Sequence, residues 1–351
     1  MLKRTPRWWR AFVLVAAVAL VAAACGGDDD SGDSTETTAA SGGSDTTAAA
    51  GGEAFRIAIV APSASNDLAF TQSIVDAVTA IQNEMGAGAI DLQISDGTFI
   101  VEDAAAALRD YASQGVDLVI GHGSQYGGSI EEIAKDFPDV SFAWGTAADT
   151  FGEPNVYAYE AASDEGGYVM GAIGAGATES GVIGVVGPIE VGDAKLFVDG
   201  FAAGVAATDP GVTVNITYTG SFSDVALASE AAESHVANNA DVMTGTAQMV
   251  VGAVSVAADN GALWFGTQSN QTSLAPDIVV ANQVYKWEVV LNDIIEKIKG
   301  GELGGETFEI NLANGGLVIE YNDAYTLDAD ARAAADAAAA GIADGSISTG
   351  Q

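Results

Sequence analysis

Two short stretches carry side chains able to grip a small polar molecule. The first, Ser65-Asn66-Asp67-Leu68-Ala69-Phe70-Thr71-Gln72, sets amide and carboxylate groups beside an aromatic ring, just past the apolar run Ile57 to Ala61 and the breaker Pro62. The second, Gly121-His-Gly-Ser-Gln-Tyr-Gly-Gly128, presents His122, Ser124, Gln125 and Tyr126 in a glycine loop whose backbone amides can also hold an anion. Each stretch has a plainer reading. Asp67 suits the cap of the helix that follows, Phe70 can anchor that helix's first turn, and the glycines suit a tight turn.

Neither stretch is a catalytic motif. Gly-x-Ser-x-Gly fails around Ser124 because His122 and Tyr126 occupy the glycine positions. His122 and His235 have no His or Cys at ligand spacing, and Cys25 is the single cysteine, so no metal, cofactor or disulfide is expected. An extracellular hydrolase is therefore the weakest reading. The 12 basic against 48 acidic residues, a net charge of −36, argue against nucleic acid or anionic lipid as a partner surface.

Strand and helix signals alternate around these stretches. Ile57 to Ala61 reads as a buried strand, and Ile74, Val75, Val78 and Ile81 recur at helical spacing after it. The strands Ile90–Ile94, Val116–Ile120 and Val140–Trp144 alternate with helices over 101–114 and 130–136, a βαβ series. A second such series starts near Val156 and runs to the strand 263–266. In such sheets ligands sit outside the carboxyl ends of the strands, which adds Trp144, Thr246, Ala247 and Gln248 as candidates. Trp144 can equally pack in the core, and Phe137, Phe142, Phe201 and Phe222 read as core residues. The glycines of Gly171 to Gly176 lie inside an expected helix, so close helix packing explains them better than a dinucleotide loop. Late segments, a strand over 278–285, a helix over 286–299 and a hairpin or crossing strands over 300–320, imply a hinge of several strands between two doubly wound parallel-sheet α/β lobes.

The N-terminus is a secretory signal: Lys3, Arg4, Arg7 and Arg10, then the apolar run Ala11 to Ala24. Val21-Ala-Ala-Ala-Cys25 resembles a bacterial lipobox, with Ala22 where leucine is usual, and implies a lipidated Cys25. Residues 26–52 hold no branched aliphatic or aromatic side chain and read as a flexible tether.

From about Phe55 to Asp323 the chain resembles the basic-membrane-protein family of bacterial lipoproteins, whose nucleoside-binding members serve ABC transporters. Five blocks carry the resemblance in order: Asn66-Asp-Leu-Ala-Phe-Thr-Gln72, Phe137-Pro-Asp-Val-Ser-Phe142, Glu165-Gly-Gly-Tyr-Val-Met-Gly171, Phe197 to Val205, and Gly220-Ser-Phe-Ser-Asp224. The resemblance implies a type I periplasmic-binding-protein fold, a ligand held between the lobes, and delivery to a membrane permease. In nucleoside-binding relatives the base stacks on aromatic rings, and Phe70 and Asp67 match such positions. Gln268 stands where relatives carry a ribose-holding carboxylate, Thr244 where an aromatic is common, Thr71 where asparagine is usual, and Tyr285 at a lysine position, with Lys286 next to it. These departures weaken the nucleoside reading and leave two alternatives, a nucleoside-like ligand or another small polar one.

The expected organisation is a signal peptide over 1–24, a tether over 25–53, one lobe over 54–157 with 284–315, and the other over 158–283 with 316–347. The expected function is that of a monomeric, lipid-anchored extracytoplasmic solute-binding protein without enzymatic activity, delivering its ligand to an ABC permease. A surface sensor signalling to a membrane receptor is the alternative. The expected ligand contacts are Asn66, Asp67, Phe70, Gln72, His122, Ser124, Gln125, Tyr126, Trp144, Gln248, Gln268 and Lys286.

Overall fold

The computed structural model describes residues 53–350, so the expected signal segment, Cys25 and nearly all of the tether lie outside the described residues. The chain begins with β1 (Phe55–Val60), α1 (Phe70–Met85), β2 (Ile90–Ser95), α2 (Val101–Ser113), β3 (Leu118–His122), α3 (Gly127–Asp136), β4 (Ser141–Gly145) and β5 (Val156–Ala161). It continues with α4 (Ser163–Ala177), β6 (Val182–Gly187), α5 (Gly192–Thr208), β7 (Thr213–Tyr218), α6 (Val225–Ala237), β8 (Val242–Gly245), α7 (Val251–Asn260), β9 (Leu263–Gln268) and β10 (Val279–Tyr285). The last elements are α8 (Glu288–Lys299), β11 (Thr307–Ile310), β12 (Leu317–Tyr321) and α9 (Ala329–Ala343).

These strands form two six-stranded sheets, ordered β11-β5-β4-β3-β1-β2 and β12-β10-β9-β8-β6-β7. Pairing is parallel throughout except between β10 and the edge strand β12. Burial on both faces explains the continuous apolar runs of the central strands. In β1, Ile57 and Ile59 pack with Ile74, Ile81, Leu291 and Ile294 of α1 and α8. Ala58 and Val60 point the other way, toward Leu108 and Ile130 of α2 and α3. The second sheet is covered by α4, α5 and α9 on one face and by α6 and α7 on the other.

Glycines bring α4 and α5 into backbone contact. A methyl group at Gly171 would strike the Phe201 carbonyl, and one at Gly204 would strike that of Tyr168. The helix-packing reading of Gly171 to Gly176 holds at Gly171. The close approach also fixes the N-terminus of α5 against the start of α4, where Ser163 Oγ donates to the Asp193 carbonyl at 2.6 Å.

The chain passes between the sheets three times, after β5, after β10, and between β11 and β12. The segment 300–320 thus forms crossing strands rather than a hairpin. The boundary expected after residue 157 falls inside β5, which pairs with β4 from Val156 to Tyr159 and with β11 from Ala158 to Ala161. The second series therefore starts one strand later than the sequence suggests. Likewise β10 stays in the second sheet through Tyr285, beyond the boundary expected after residue 283. Backbone bonds tie the crossings together: Ala162 N–H donates to Ile310 O at 2.9 Å, and Lys286 N–H to Gly316 O at 2.7 Å.

Candidate functional site

A cavity of about 310 Å3 lies between the two sheets' strand ends, at the lower end of the roughly 300 to 1,000 Å3 usual for small-molecule sites. Pro62, Phe70, Phe99, Ser124, Gln125 and Thr146 line it from the first lobe. Val191, Asp193, Phe222, Ala247, Gln248 and Gln268 answer from the second. The walls follow strand carboxyl ends, as expected for open parallel sheets. Most of the lining is apolar, and Phe99 and Val191 at 45% and 47% exposure leave their side chains in solvent.

Of the twelve expected contacts, the structure brings Phe70, Ser124, Gln125, Gln248 and Gln268 to this cavity. The others stand elsewhere, for definable reasons. Asp67 is a helix cap: its carboxylate accepts from the backbone N–H groups of Ala69, Thr71 and Gln72 at 2.9 to 3.1 Å and from Ser63 Oγ at 2.7 Å. Asn66 is exposed on the loop. Gln72 accepts from Leu68 N–H and donates to Asp76, at 3.0 and 3.2 Å. Tyr126 is fully buried and donates to the Thr98 carbonyl at 2.8 Å. Trp144 donates to the Gly123 carbonyl at 3.1 Å and stacks on Phe151 at 4.9 Å, so it clamps two loops.

His122 lies directly behind the cavity wall. Its ring stacks under Phe70 at 4.2 Å, and its Nδ1 meets the Tyr159 hydroxyl at 2.8 Å. Burial holds its pKa down to about 3, a weak interaction with the Phe70 backbone opposing this only in part. The imidazole is therefore a neutral support for Phe70, a stack worth about 0.5 to 1.5 kcal/mol beyond the area buried. Lys286 faces a second cavity of about 160 Å3, which it lines with Asp76, Glu288 and Glu320, and it pairs with Glu320 at 3.1 Å. Thr244 is buried and donates to the Phe265 carbonyl at 2.8 Å, away from the cavity, so its departure from the family pattern leaves the cavity lining untouched.

Sequence reasoning missed Phe99, Thr146 and Asp193, and placed Phe222 in the core. The strand-end rule that found the β8 loop applies equally to the loop between β6 and α5, where Asp193 sits in the first helical turn. Backbone strain marks the same wall. Thr146, Ala247 and Gln268 have φ values of 61°, 76° and 72°, each costing about 1 to 3 kcal/mol for such residues. Strain of this kind gathers at sites where side-chain aim matters.

Gln268 owes its position to the strand it ends. Gly266, one turn of the pleat earlier, has no room for a Cβ because Asn282 Oδ1 fills that space. Asn282 Oδ1 in turn accepts from Gln271 N–H at 2.9 Å, and Gln271 Oε1 accepts from the Trp264 indole at 2.8 Å. Ser269 Oγ then donates to the Ala69 carbonyl at 2.8 Å, joining the two lobes directly beside Phe70.

Beside Gln268 lies Asp193, whose Oδ2 is buried without a hydrogen-bond partner. Burial raises its pKa from 3.8 to about 6, with Gln268, the amides of Ala194 and Asp193, and Tyr285 favouring the ionised form only in part. A polar anchor thus sits in a mainly apolar cavity, the usual plan of a solute-binding site.

The family of PnrA-like ABC transporter substrate-binding proteins matches residues 54–339. A purine-binding protein of Brucella abortus is 29% identical over 185 residues, a match spanning about half of each chain, 53% and 52%. The nucleoside-binding protein BmpA of an ABC transporter of Lactococcus lactis is 26% identical over 67% of this chain and 71% of its own. Among solved structures, an ABC transporter solute-binding protein of Conexibacter woesei superposes with a TM-score of 0.71 at 25% identity, covering 84% of this chain and 98% of its own. A solute-binding protein of an ABC transporter system from Aeropyrum pernix shares the fold, with a TM-score of 0.72 at 20% identity over 84% of this chain and 92% of its own. The chain belongs to the PnrA-like family of ABC transporter substrate-binding proteins.

Proposed function

We propose that this protein captures a small heterocyclic solute, a nucleobase or nucleoside, between its lobes and delivers it to an ABC importer. The observation that carries this reading is the cavity between the two lobes, with Phe70 and Phe222 among its walls and Asp193 and Gln268 as its polar anchor. Aromatic rings offer a flat base offset-stacked contact, and an apolar lining rewards burial of such a ring far more than of a free hexose. The names of two relatives, purine-binding and nucleoside-binding, support the same class. The departures that weaken the nucleoside reading are chiefly Gln268 and Thr244. Thr244 does not line the cavity, and Asp193 supplies a carboxyl group next to Gln268.

Attachment through a lipidated Cys25, with residues 26–52 as a spacer, would hold the lobes near the importer on the extracytoplasmic face. Palmitate labelling in cells, lost in Cys25→Ala, tests the anchor. Calorimetric titration with purine bases, nucleosides, pentoses and hexoses tests the capture. Binding restricted to the sugars, or no binding across the panel, would defeat the proposed ligand class.

A further inference from the structure

Around Gln268, which lines both cavities, Asp193 Oδ2, Gln268 Oε1, the Thr267 hydroxyl and the Tyr285 hydroxyl are all buried without a hydrogen-bond partner. They form one neighbourhood: the side chains of Gln268 and Tyr285 adjoin Asp193, and those of Ser163 and Thr267 adjoin the Tyr285 hydroxyl. Gln268 is only 3% exposed, Tyr285 2% and Thr267 0%. Folded proteins rarely leave such groups unpaired, because each orphan has given up its hydration with nothing in return. Here several orphans share one place, and two of them, Asp193 and Gln268, line the cavity. A ligand that pairs them would recover that cost on binding.

Their chemistry restricts the ligand. Asp193 Oδ2 is an acceptor able to carry a charge, and the Gln268 amide beside that carboxyl leaves a second acceptor, Oε1, unpaired. Asp193 is also the one ionisable side chain among the described residues lining the cavity, so an anionic group would meet a carboxylate and no counter-charge. We propose that Asp193, held beside Gln268 and Tyr285, fixes which solute is taken by accepting from a ligand group that offers two adjacent hydrogen-bond donors. This rests on the cleft reading above and adds the group by which the solute is chosen. Two ligand parts share that chemistry, the vicinal hydroxyls of a ribose and the N–H edge of a base.

Ionisation of Asp193 strengthens such bonds, since charge-assisted contacts are about twice as strong as neutral ones. The groups facing the carboxyl are Tyr285 of β10, whose hydroxyl stays protonated, Gln268 of β9, and Ser163 of α4, whose hydroxyl donates to the Asp193 backbone. Lys195, two residues along α5, is engaged by Asp199. Affinity therefore follows the Asp193 proton, falling as pH drops through about 6, where the carboxyl is neutralised.

The test is calorimetry of the full-length protein and Asp193→Asn with three probes. Guanosine carries both donor pairs, dideoxyguanosine lacks the diol, and purine riboside lacks the N–H edge. The expected result is a loss of about 10- to 100-fold in guanosine affinity in the variant. One analogue should show a similar loss in the wild-type protein and little further loss in the variant, which names the part that Asp193 holds. Guanosine affinity of the wild-type protein should also weaken on acidification, a measurement that stands whether or not the variant folds. Equal binding of all three probes by the wild-type protein, or affinity independent of pH, overturns the assignment. Absence of binding by every probe overturns both this assignment and the cleft reading.

Discussion

Asp193 makes a quantitative prediction about the ligand-free protein. Its carboxyl ionises near 3.8 when the chain is unfolded and near 6 in the folded state, where burial holds the proton on. Between those values the folded state binds more protons, so folding stability falls as pH rises through the window. The stabilising contribution of the neutral acid is complete below about 3.8 and gone above about 6. A shift of that size corresponds to about 3 kcal/mol at neutral pH, each pKa unit being about 1.4 kcal/mol. A carboxamide cannot ionise, so Asp193→Asn should be more stable than the wild-type protein by up to about 3 kcal/mol at neutral pH and nearly equal to it near pH 4. Urea denaturation of both proteins without ligand, repeated across this range, reads the difference directly. Taking the difference also cancels the repulsion among the many other carboxylates. A gap that stays constant with pH, or a variant less stable at neutral pH, would refute the reasoning. A site that stabilises the fold when disarmed is the usual trade between stability and function.

Three further outcomes follow from the same geometry. Phe70→Ala should uncover His122, moving its titration from about 3 toward the ordinary 6.5, as followed by NMR of the imidazole protons, and should weaken ligand binding. Gly171→Ala should force α4 away from the Phe201 carbonyl and cost about 1 to 3 kcal/mol, measured by chemical denaturation. Lys286→Ala removes a partly exposed pair with Glu320 outside the first cavity. It should cost no more than about 1 kcal/mol of stability and leave solute affinity unchanged, as calorimetry would show.

Much of the fold was legible because burial on both faces of a parallel sheet writes itself as short apolar runs. Ile57 to Ala61, Val116 to Ile120 and Val140 to Trp144 correspond to β1, β3 and β4 within two residues at either end. The lobe boundaries were less legible, since β5 carries the same apolar signature whether it closes one sheet or opens the next. The hydrogen bonds of Ala158 to Ala161 with β11, some 150 residues later, decide the matter. The site was half legible. Phe70, Ser124, Gln125 and Gln248 follow from their places after strands and Gln268 from the family resemblance, whereas Asp67, Tyr126 and Trp144 have the right types but are occupied by local backbone groups.

The sequence by itself determined the alternation of strands and helices, the family, and the loops from which a cleft is built, because these depend on local pattern and on blocks of adjacent residues. Only the tertiary structure decided which side chains in those loops remain free. A polar residue's availability depends on whether a distant backbone group or partner has already satisfied it, and that is a property of packing. Asp193 and Gln268 lie 75 positions apart in the chain, and only the packing of α5 on α4 and the end of β9 puts them side by side with no hydrogen-bond partner for Asp193 Oδ2 or Gln268 Oε1.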